Sequence, residues 1–183
     1  MVALEPSFCP TCGTELTIRH VDGRDRPYCP SCATVVWRNP VPTAGVAVVD
    51  TTGREPTVLL VRRATEPDAG EWGIPAGFLE HDERAVDGAA RELHEETGVR
   101  VDPGALALAS VDDLAHPTGR QLVTICYAVA RDRTTGAPAA GSDATAARFW
   151  ALDDLTASEE TLRALDRDRV PRAIDRVRTG TFE

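Results

Sequence analysis

Short apolar runs, rich in valine and leucine and separated by polar turns, recur along most of the chain. Their β-branched composition and the glycine, proline and aspartate residues between them predict β-strands. The runs are TAGVAVV (43–49), TVLLVRR (57–63), ALALASV (105–111), QLVTICYAVA (121–130) and ARFWAL (147–152). This pattern predicts a β-sheet as the main element of the fold.

One segment between the second and third runs has a helical pattern instead. We expect Asp82 as the N-cap, residues 83–97 as the helix body and Gly98 as the residue that ends it. Two further helices are predicted at 157–166 and at 171–178, the second starting at a proline. The apolar positions of the first helix, which recur every 3.6 residues, are Val86, Ala89, Ala90 and Leu93. The fold class is therefore α/β.

The N-terminal segment contains two cysteine pairs with the spacing of a zinc site. Cys9 and Cys12 form one CxxC pair, Cys29 and Cys32 form the other, and sixteen residues separate the pairs. Four thiolates around a tetrahedral zinc leave no open position for a substrate, so such a site is structural. Two disulfides are the alternative, which a reducing compartment disfavours.

A proline-rich joint, Asn39-Pro40-Val41-Pro42, follows the cysteine segment. Proline restricts its own backbone and that of the preceding residue, so this joint is predicted to be extended. We therefore expect a small zinc-binding module in residues 1–40 and a larger domain in residues 41–183. Because so short a module buries little apolar surface, the metal would contribute to its folding.

The charge balance of the chain is acidic. Its net charge is −9, its pI is about 4.9 and all 20 basic residues are arginine. Such a surface repels polyanions, which argues against nucleic acid as the main partner. The composition resembles that of halophilic proteins from salt-rich cytosols. A GC-rich genome, which favours arginine codons, is the alternative explanation for the missing lysine.

The chain shows no sign of a membrane or export segment. No apolar run reaches 18 residues, and the N-terminus lacks a basic start followed by an apolar stretch. We therefore expect a cytoplasmic protein without a membrane span.

Three glutamates lie together near the end of the first predicted helix. Glu92 is three and four residues from Glu95 and Glu96, so these like charges face one another at a cost of about 0.2–0.5 kcal/mol per pair. Carboxylates in a last helical turn also oppose the helix dipole. Arg91 offsets only part of this cost. The cluster therefore indicates a bound cation.

The segment GFLEHDERAVDGAARELHEETGV (77–99) resembles the Nudix box, G-x5-E-x7-R-E-U-x-E-E-x-G-U, where U is aliphatic. The preceding GEWGIPAGF (70–78) also resembles the run that leads into that box. The resemblance implies the Nudix fold, an α+β arrangement with a mixed β-sheet sandwiched between helices, here with a small N-terminal zinc ribbon. The matching positions are Gly77, Glu83, Arg91, Glu92, Leu93, Glu95, Glu96, Gly98 and Val99.

The resemblance also implies a site for Mg²⁺ or Mn²⁺. In the family, these glutamates hold divalent cations, so Glu92 and Glu96 would be the principal ligands. Glu95 would be a further ligand or the base that activates water. A backbone carbonyl of Ala76 or Gly77 would complete the set. Hard cations of this kind prefer such oxygen ligands.

Further residues receive their expected roles from the same resemblance. Arg91 would orient a glutamate, and Glu83 would hold the loop against the helix. Asp143 matches the position of a downstream metal-binding glutamate in the NADH pyrophosphatases, although its side chain is shorter. The candidate substrate-binding residues are Arg62, Arg63, Arg120 and Phe78.

The implied reaction is hydrolysis of the diphosphate bond in a nucleoside diphosphate linked to another group, releasing AMP. A four-cysteine ribbon joined to a Nudix domain resembles the NADH pyrophosphatases and related ADP-ribose and FAD pyrophosphatases. The NADH group carries SQPWPFPxS after the box, whereas residues 110–122 read SVDDLAHPTGRQL. Pro117 is loosely similar to the proline of ADP-ribose hydrolases, although an ordinary turn explains it equally well. We favour ADP-ribose or FAD over NADH.

Two alternatives to this function stay open. A hydrolase of NAD-capped RNA would use the same chemistry on a larger anion. A non-catalytic Nudix sensor or regulator would bind a nucleotide without cleaving it, although the complete box argues against lost catalysis. The resemblance also makes a homodimer a reasonable expectation.

Overall fold

The computed structural model describes residues 3–141 and 144–180, which divide into two compact units. The smaller unit contains the residues up to Val41 together with Asp113–Val123. The larger unit contains Pro42–Asp112 and the residues from Thr124 onwards. None of the helices in these described ranges is long and apolar enough to cross a membrane.

The smaller unit is built on a three-stranded antiparallel sheet. Its first two strands are joined by Asp22 and Gly23, which both have positive φ, at 51° and 74°. A two-residue hairpin turn with both φ values positive matches the twist of the flanking strands, and an Asp-Gly pair adopts it readily. The three strands, in spatial order, are β1 (Thr17–Val21), β2 (Arg24–Cys29) and β3 (Thr34–Val35).

The main sheet has the order β12-β5-β4-β10-β9, with β6 paired to β5 and β7 paired to β4. A separate pair joins β11 to β8. The strands are β4 (Val41–Asp50), β5 (Thr57–Arg63), β6 (Trp72–Gly73), β7 (Ala76–Phe78), β8 (Arg100–Val101), β9 (Ala107–Ala115), β10 (Gln121–Ala130), β11 (Thr134–Thr135) and β12 (Ala144–Ala151). The helices are α1 (Ala85–Thr97), α2 (Leu152–Ala157) and α3 (Asp166–Thr179).

Strand β4 is covered on both faces, as its continuous apolar sequence requires. Alternate side chains of a strand point to opposite faces. Val48 accordingly belongs to a core cluster with Leu93 of α1, whereas Val49 belongs to a second cluster with Val170 of α3. The sheet of the larger unit therefore lies between helices, and the predicted fold class is confirmed.

The strand predictions hold with small shifts at their ends. The bounds predicted for β5 and β10 agree with the structure, and the other three strands begin or end within four residues of the prediction. Helix α1 ends as expected, because Gly98 has a left-handed φ of 71° and its N–H donates to the His94 carbonyl.

The expected N-cap of α1 is wrong. The helix begins at Ala85, the capping position is Arg84, and no side chain caps it. Glu83 precedes the helix, and its carboxylate accepts instead from the Glu80 N–H and from Arg91. These contacts hold the chain before Arg84 outside the helix, so Asp82 lies too far upstream to cap it.

The helix predicted at 157–166 is also wrong. Helix α2 ends at Ala157, and the following residues pair with β6 through Trp72 N–H to the Thr161 carbonyl (2.8 Å) and Arg163 N–H to the Trp72 carbonyl (2.8 Å). This long-range pairing satisfies backbone groups that a helix would otherwise use. Helix α3 then begins at Asp166, so Pro171 lies inside it and not at its start.

Candidate active site

Helix α1 carries the three glutamates with very different exposure. Glu96 is 5% exposed, the side chain of Glu92 is 14% exposed and that of Glu95 is 46% exposed. A buried carboxylate is costly unless hydrogen bonds or opposite charges surround it. The exposure of the three carboxylates therefore increases from the buried Glu96 to the half-exposed Glu95.

The loop before α1 contacts the most buried of these carboxylates directly. The backbone N–H of Ala76 donates to Glu96 Oε2 at 3.1 Å. Ala76 begins β7, which pairs with β4 so that Ala76 lies opposite Gly45. The sheet therefore fixes the backbone group that orients Glu96.

Gly77 lets the Glu92 carboxylate pack against the loop backbone. A Cβ atom at this position would lie 2.2 Å from the carboxylate carbon of Glu92 and 2.3 Å from both of its oxygens. Such distances are far below van der Waals contact, so a side chain at position 77 would displace Glu92. The first glycine of the box is thus required by space.

Arg91 connects the loop, the helix start and the glutamates. Its Nη1 donates to Glu92 Oε1 (2.7 Å) and to Glu95 Oε2 (3.0 Å). Its Nη2 donates to Glu83 Oε1 (2.8 Å) and to the Phe78 carbonyl (3.1 Å), and its Nε donates to Glu83 Oε2 (3.1 Å). Hydrogen bonding to Glu83 raises the pKa of Arg91. The orienting role of Arg91 stays a prediction, and these contacts show which groups it would hold.

Glu83 is the main partner of Arg91 and ties the loop to the helix. Arg91 lowers the pKa of Glu83, and the Glu80 N–H, which donates to Glu83 Oε1 at 2.8 Å, adds to this effect. Gly88 makes room for the arrangement, because a Cβ there would lie 2.6 Å from Glu83 Oε1 and 2.5 Å from Leu79 Cδ2.

The donor atoms of this cluster fit a hard divalent cation, since they are all carboxylate oxygens beside a loop backbone. Throughout the described residues, however, the cysteines form the only group of three or more His, Cys, Asp or Glu ligand atoms within 4.8 Å of one another. Arg91 Nη1 lies between Glu92 and Glu95 and bonds to both. Binding of a cation would therefore require these carboxylates to turn away from Arg91.

The end of α1 is held by the backbone of Ala139 and Gly141, a contact that the sequence did not predict. The N–H of Gly141 donates to the Glu96 carbonyl at 3.0 Å, and the N–H of Ala139 donates to the Thr97 carbonyl at 2.9 Å. These are carbonyls that a helix end leaves unsatisfied. A Cβ at Gly141 would lie 2.3 Å from the Glu95 carbonyl oxygen, so this close approach of the two backbones requires a glycine.

The predicted substrate-binding residues lie in different environments. Arg62 Nε donates to the Gly70 carbonyl at 2.9 Å, and Arg63 Nε donates to the Pro67 carbonyl at 3.0 Å, so both hold the loop after β5. Phe78 is 46% exposed at the end of β7. Arg120 belongs to the smaller unit, and its buried Nε has no hydrogen-bond partner among the described residues. Asp143 lies outside the described residues.

The four cysteines of the smaller unit converge. Their Sγ atoms all lie within 4.8 Å of one another, with Cys9 to Cys32 at 4.0 Å and Cys12 to Cys29 at 3.5 Å. A tetrahedral zinc with Zn–S bonds of about 2.3 Å separates its sulfurs by about 3.8 Å. Because all four thiols are free, neither disulfide of the alternative interpretation is formed.

Comparisons with known proteins agree with this geometry. The family model of the NUDIX domain matches residues 39–173. A solved Nudix hydrolase from Nitrosomonas europaea is similar, with a TM-score of 0.69, 28% identity, and coverage of 96% of this chain and 94% of that one.

Three curated relatives are similar over shorter stretches. A MutT-like protein of Streptomyces ambofaciens is 36% identical over 67% of this chain and 68% of its own length. An ADP-ribose pyrophosphatase of Methanocaldococcus jannaschii is 30% identical over 60% of this chain and 63% of its own. The NAD-capped RNA hydrolase NudC of Vibrio parahaemolyticus is 33% identical over 51% of this chain and 34% of its own.

The chain thus spans less than two thirds of the last two relatives, but the family model matches most of the chain. The box, the sheet between helices and the family match all agree. The chain therefore belongs to the Nudix family of pyrophosphohydrolases.

Proposed function

We propose that this protein hydrolyses the diphosphate bond of a nucleoside diphosphate linked to another moiety, of the ADP-ribose, FAD or NADH type, and releases AMP. The observation that carries the proposal is the packing of the Glu92 and Glu96 carboxylates against the loop at Ala76 and Gly77. The similarity to an ADP-ribose pyrophosphatase favours ADP-ribose within this class.

We assign Glu92, Glu95 and Glu96, with a backbone carbonyl of Ala76 or Gly77, to a site for Mg²⁺ or Mn²⁺. A cation held there would neutralise the diphosphate and lower the pKa of an attacking water. Glu96 stays oriented by the Ala76 N–H.

Glu95 is the glutamate best placed to accept the proton of the attacking water, because it is half-exposed. With a cation bound, the bonds of Arg91 to Glu83 and to the Phe78 carbonyl would still hold the loop.

Substrate binding is assigned to Phe78, Arg62, Arg63 and Arg120. The exposed ring of Phe78 offers a flat apolar surface for a base beside the glutamates. Arg62 and Arg63 act first on the loop after β5, so their effect on the substrate runs through that loop. Asp143 is retained as a further metal ligand on the basis of its sequence position.

We further propose that residues 1–40 form a zinc ribbon and residues 41–183 the Nudix hydrolase domain. Zinc is assigned to Cys9, Cys12, Cys29 and Cys32 because their sulfur separations suit tetrahedral coordination. A homodimer, a cytoplasmic location and a salt-rich cytosol stay predictions. Light scattering would test the first of them.

The experiment that tests the activity is product analysis with ADP-ribose, FAD, NADH and a nucleoside triphosphate in Mg²⁺ over a range of salt. We expect AMP from ADP-ribose or FAD, and its loss in Glu96→Gln, because the amide removes the charge that holds the cation. Arg54→Gln, an exposed change in the turn after β4, is the matched control and should retain activity. Cleavage that persists unchanged in Glu96→Gln would contradict the assignment.

The runner-up function is hydrolysis of NAD-capped RNA, favoured by the similarity to NudC. The net charge of −9 opposes binding of a long polyanion at low salt. A capped RNA cleaved with higher kcat/KM than ADP-ribose would reverse the ranking. Tight binding of ADP-ribose without cleavage of any substrate would instead indicate a nucleotide sensor.

A further inference from the structure

Asp166 is a buried acid far along the chain from the box. It is 1% exposed at the start of α3, and burial raises the pKa of its carboxyl group. Its Oδ2 accepts from the Ile74 N–H at 3.2 Å. Its Oδ1 lies 3.6 Å from Arg169 Nη1 and has no hydrogen-bond partner among the described residues. A carboxylate held at this cost needs a structural or functional reason.

The contact to Ile74 extends a row of hydrogen bonds along β6. The Trp72 N–H donates to the Thr161 carbonyl, and the Arg163 N–H donates to the Trp72 carbonyl, both at 2.8 Å. The next outward N–H along the strand belongs to Ile74, and there a side chain, that of Asp166, replaces the backbone carbonyl as acceptor.

The absence of a side chain at Gly73 allows the Asp166 carboxylate to approach the strand. A Cβ there would lie 2.7 Å from Asp166 Oδ2 and 2.6 Å from Arg163 Cδ. The strand and the carboxylate are therefore closer than any larger residue at position 73 would allow.

Ile74 leads directly into the loop that holds the glutamates. The next residue, Pro75, accepts from the Val46 N–H at 3.1 Å, and the one after it, Ala76, donates to Glu96 Oε2 at 3.1 Å. Only one residue, Pro75, thus separates the Ile74 N–H held by Asp166 from the Ala76 N–H that orients Glu96. A displacement of Ile74 would be transmitted along this short, extended backbone.

We propose that Asp166 is a positioning residue for the cation site, acting through the Ile74 N–H on the contact between Ala76 and Glu96. The inference rests on the proposed function, because it takes Glu96 as a ligand. Asp166 itself does not contact the glutamates.

The network around Asp166 provides a matched control. Asp112 accepts from Arg169 Nε at 2.9 Å and from Arg172 Nη1 at 3.1 Å, so it belongs to the same group of charges. None of its described hydrogen bonds involves residues 72–76. Asp112→Asn should therefore lower stability without disturbing the loop.

The test uses the full-length protein and two measurements that need no substrate. Mn²⁺ affinity is measured by electron paramagnetic resonance, and amide hydrogen exchange is followed at Ile74 and Ala76. For Asp166→Ala we expect about 10- to 100-fold weaker Mn²⁺ binding, the usual loss when a supporting residue of a metal site is removed, and faster exchange at both amides. Asp166→Asn keeps an acceptor oxygen and should recover most of the affinity, and Asp112→Asn should bind as the wild type does.

Wild-type Mn²⁺ affinity in a folded Asp166→Ala, or equal weakening in Asp112→Asn, would overturn the inference. If Asp166→Ala does not fold, Gly73→Ala takes its place, because its Cβ would push the Asp166 carboxylate away. The same Mn²⁺ affinity and amide exchange are then measured, with the same expected results. If the wild type does not bind Mn²⁺, and Glu96→Gln releases AMP as the wild type does, the proposed function is overturned instead. The two failures are therefore distinguishable.

Discussion

At the residue scale, close packing explains why particular positions of the box are glycine. Gly77 and Gly88 do not have the positive φ that favours glycine, and each instead faces a carboxylate, that of Glu92 or that of Glu83. Glycine is therefore required at these positions by the lack of space for a Cβ atom and not by the backbone conformation. A methyl group at either position would disturb the site more than the fold.

Gly77→Ala tests this requirement. The new Cβ would displace the flexible end of Glu92, so we expect about a 10- to 100-fold loss of kcat, the effect of misplacing a catalytic group by about 1 Å. Stability should change by less than about 1 kcal/mol, because the backbone at this position suits alanine. Activity assays and thermal unfolding give the two values, with Gly53→Ala as the control that should change neither. A stable Gly77→Ala with full activity would contradict the argument.

At the element scale, α1 and the loop before it form one charged assembly. Arg91 on the helix contacts Glu83 and the Phe78 carbonyl upstream and two of the three glutamates on the helix itself. The repulsion among the glutamates is thus partly balanced before any cation binds. The helix end is balanced separately, by the donors of Ala139 and Gly141.

Glu83→Gln should destabilise the protein in a pH-dependent way. Arg91 lowers the folded-state pKa of Glu83 below its ordinary value of 4.5, so its contribution is complete above that pH and is lost as the pH falls through the folded-state pKa. At pH 7 we expect a loss of about 1–3 kcal/mol in the free energy of unfolding, typical of a hydrogen bond to a charged group.

Urea unfolding at pH 7 and at successively lower pH measures this difference. The gap between wild type and Glu83→Gln should narrow below pH 4.5 for as long as both remain folded. Glu80→Gln, at an exposed neighbour, is the control and should have a small effect throughout. A difference in the free energy of unfolding that stays constant with pH would show that the charge of Glu83 does not contribute to stability.

At the scale of the whole molecule, the two units differ in how they are stabilised and charged. The smaller unit contains five acids and five arginines, so the larger unit carries the entire net charge of −9. The larger unit has two apolar clusters around its sheet, whereas the buried apolar residues near the N-terminus include two of the cysteines themselves. A metal is the natural source of stability for the smaller unit.

Zinc content tests this view. We expect one zinc per chain by atomic absorption, its loss in Cys9→Ser, and unfolding of the smaller unit on chelation, because a structural zinc contributes directly to folding. Cys126→Ala, at a buried cysteine of β10, is the matched control and should keep its zinc. Retention of zinc in Cys9→Ser, or its loss in Cys126→Ala, would contradict the assignment.

What the sequence alone determined is what depends on local spacing. The 3.6-residue period places the glutamates of α1 on one face, the short β-branched apolar runs identify the main strands, and the CxxC spacing brings the cysteines together. Each of these is set within a few residues or within one motif.

The tertiary structure decided what depends on partners distant along the chain. Residues 161–163 pair with β6 instead of forming a helix, Asp166 reaches Ile74 across 92 positions, and Arg163 Nε donates to Asp68 Oδ2 across 95 positions. Such contacts compete with the local preference of a segment for helix or strand. No local sequence pattern specifies which distant donor will pair with a given acceptor. A buried hydrogen bond or ion pair decides the structure because an unsatisfied polar group in the core costs more free energy than local secondary-structure preference contributes.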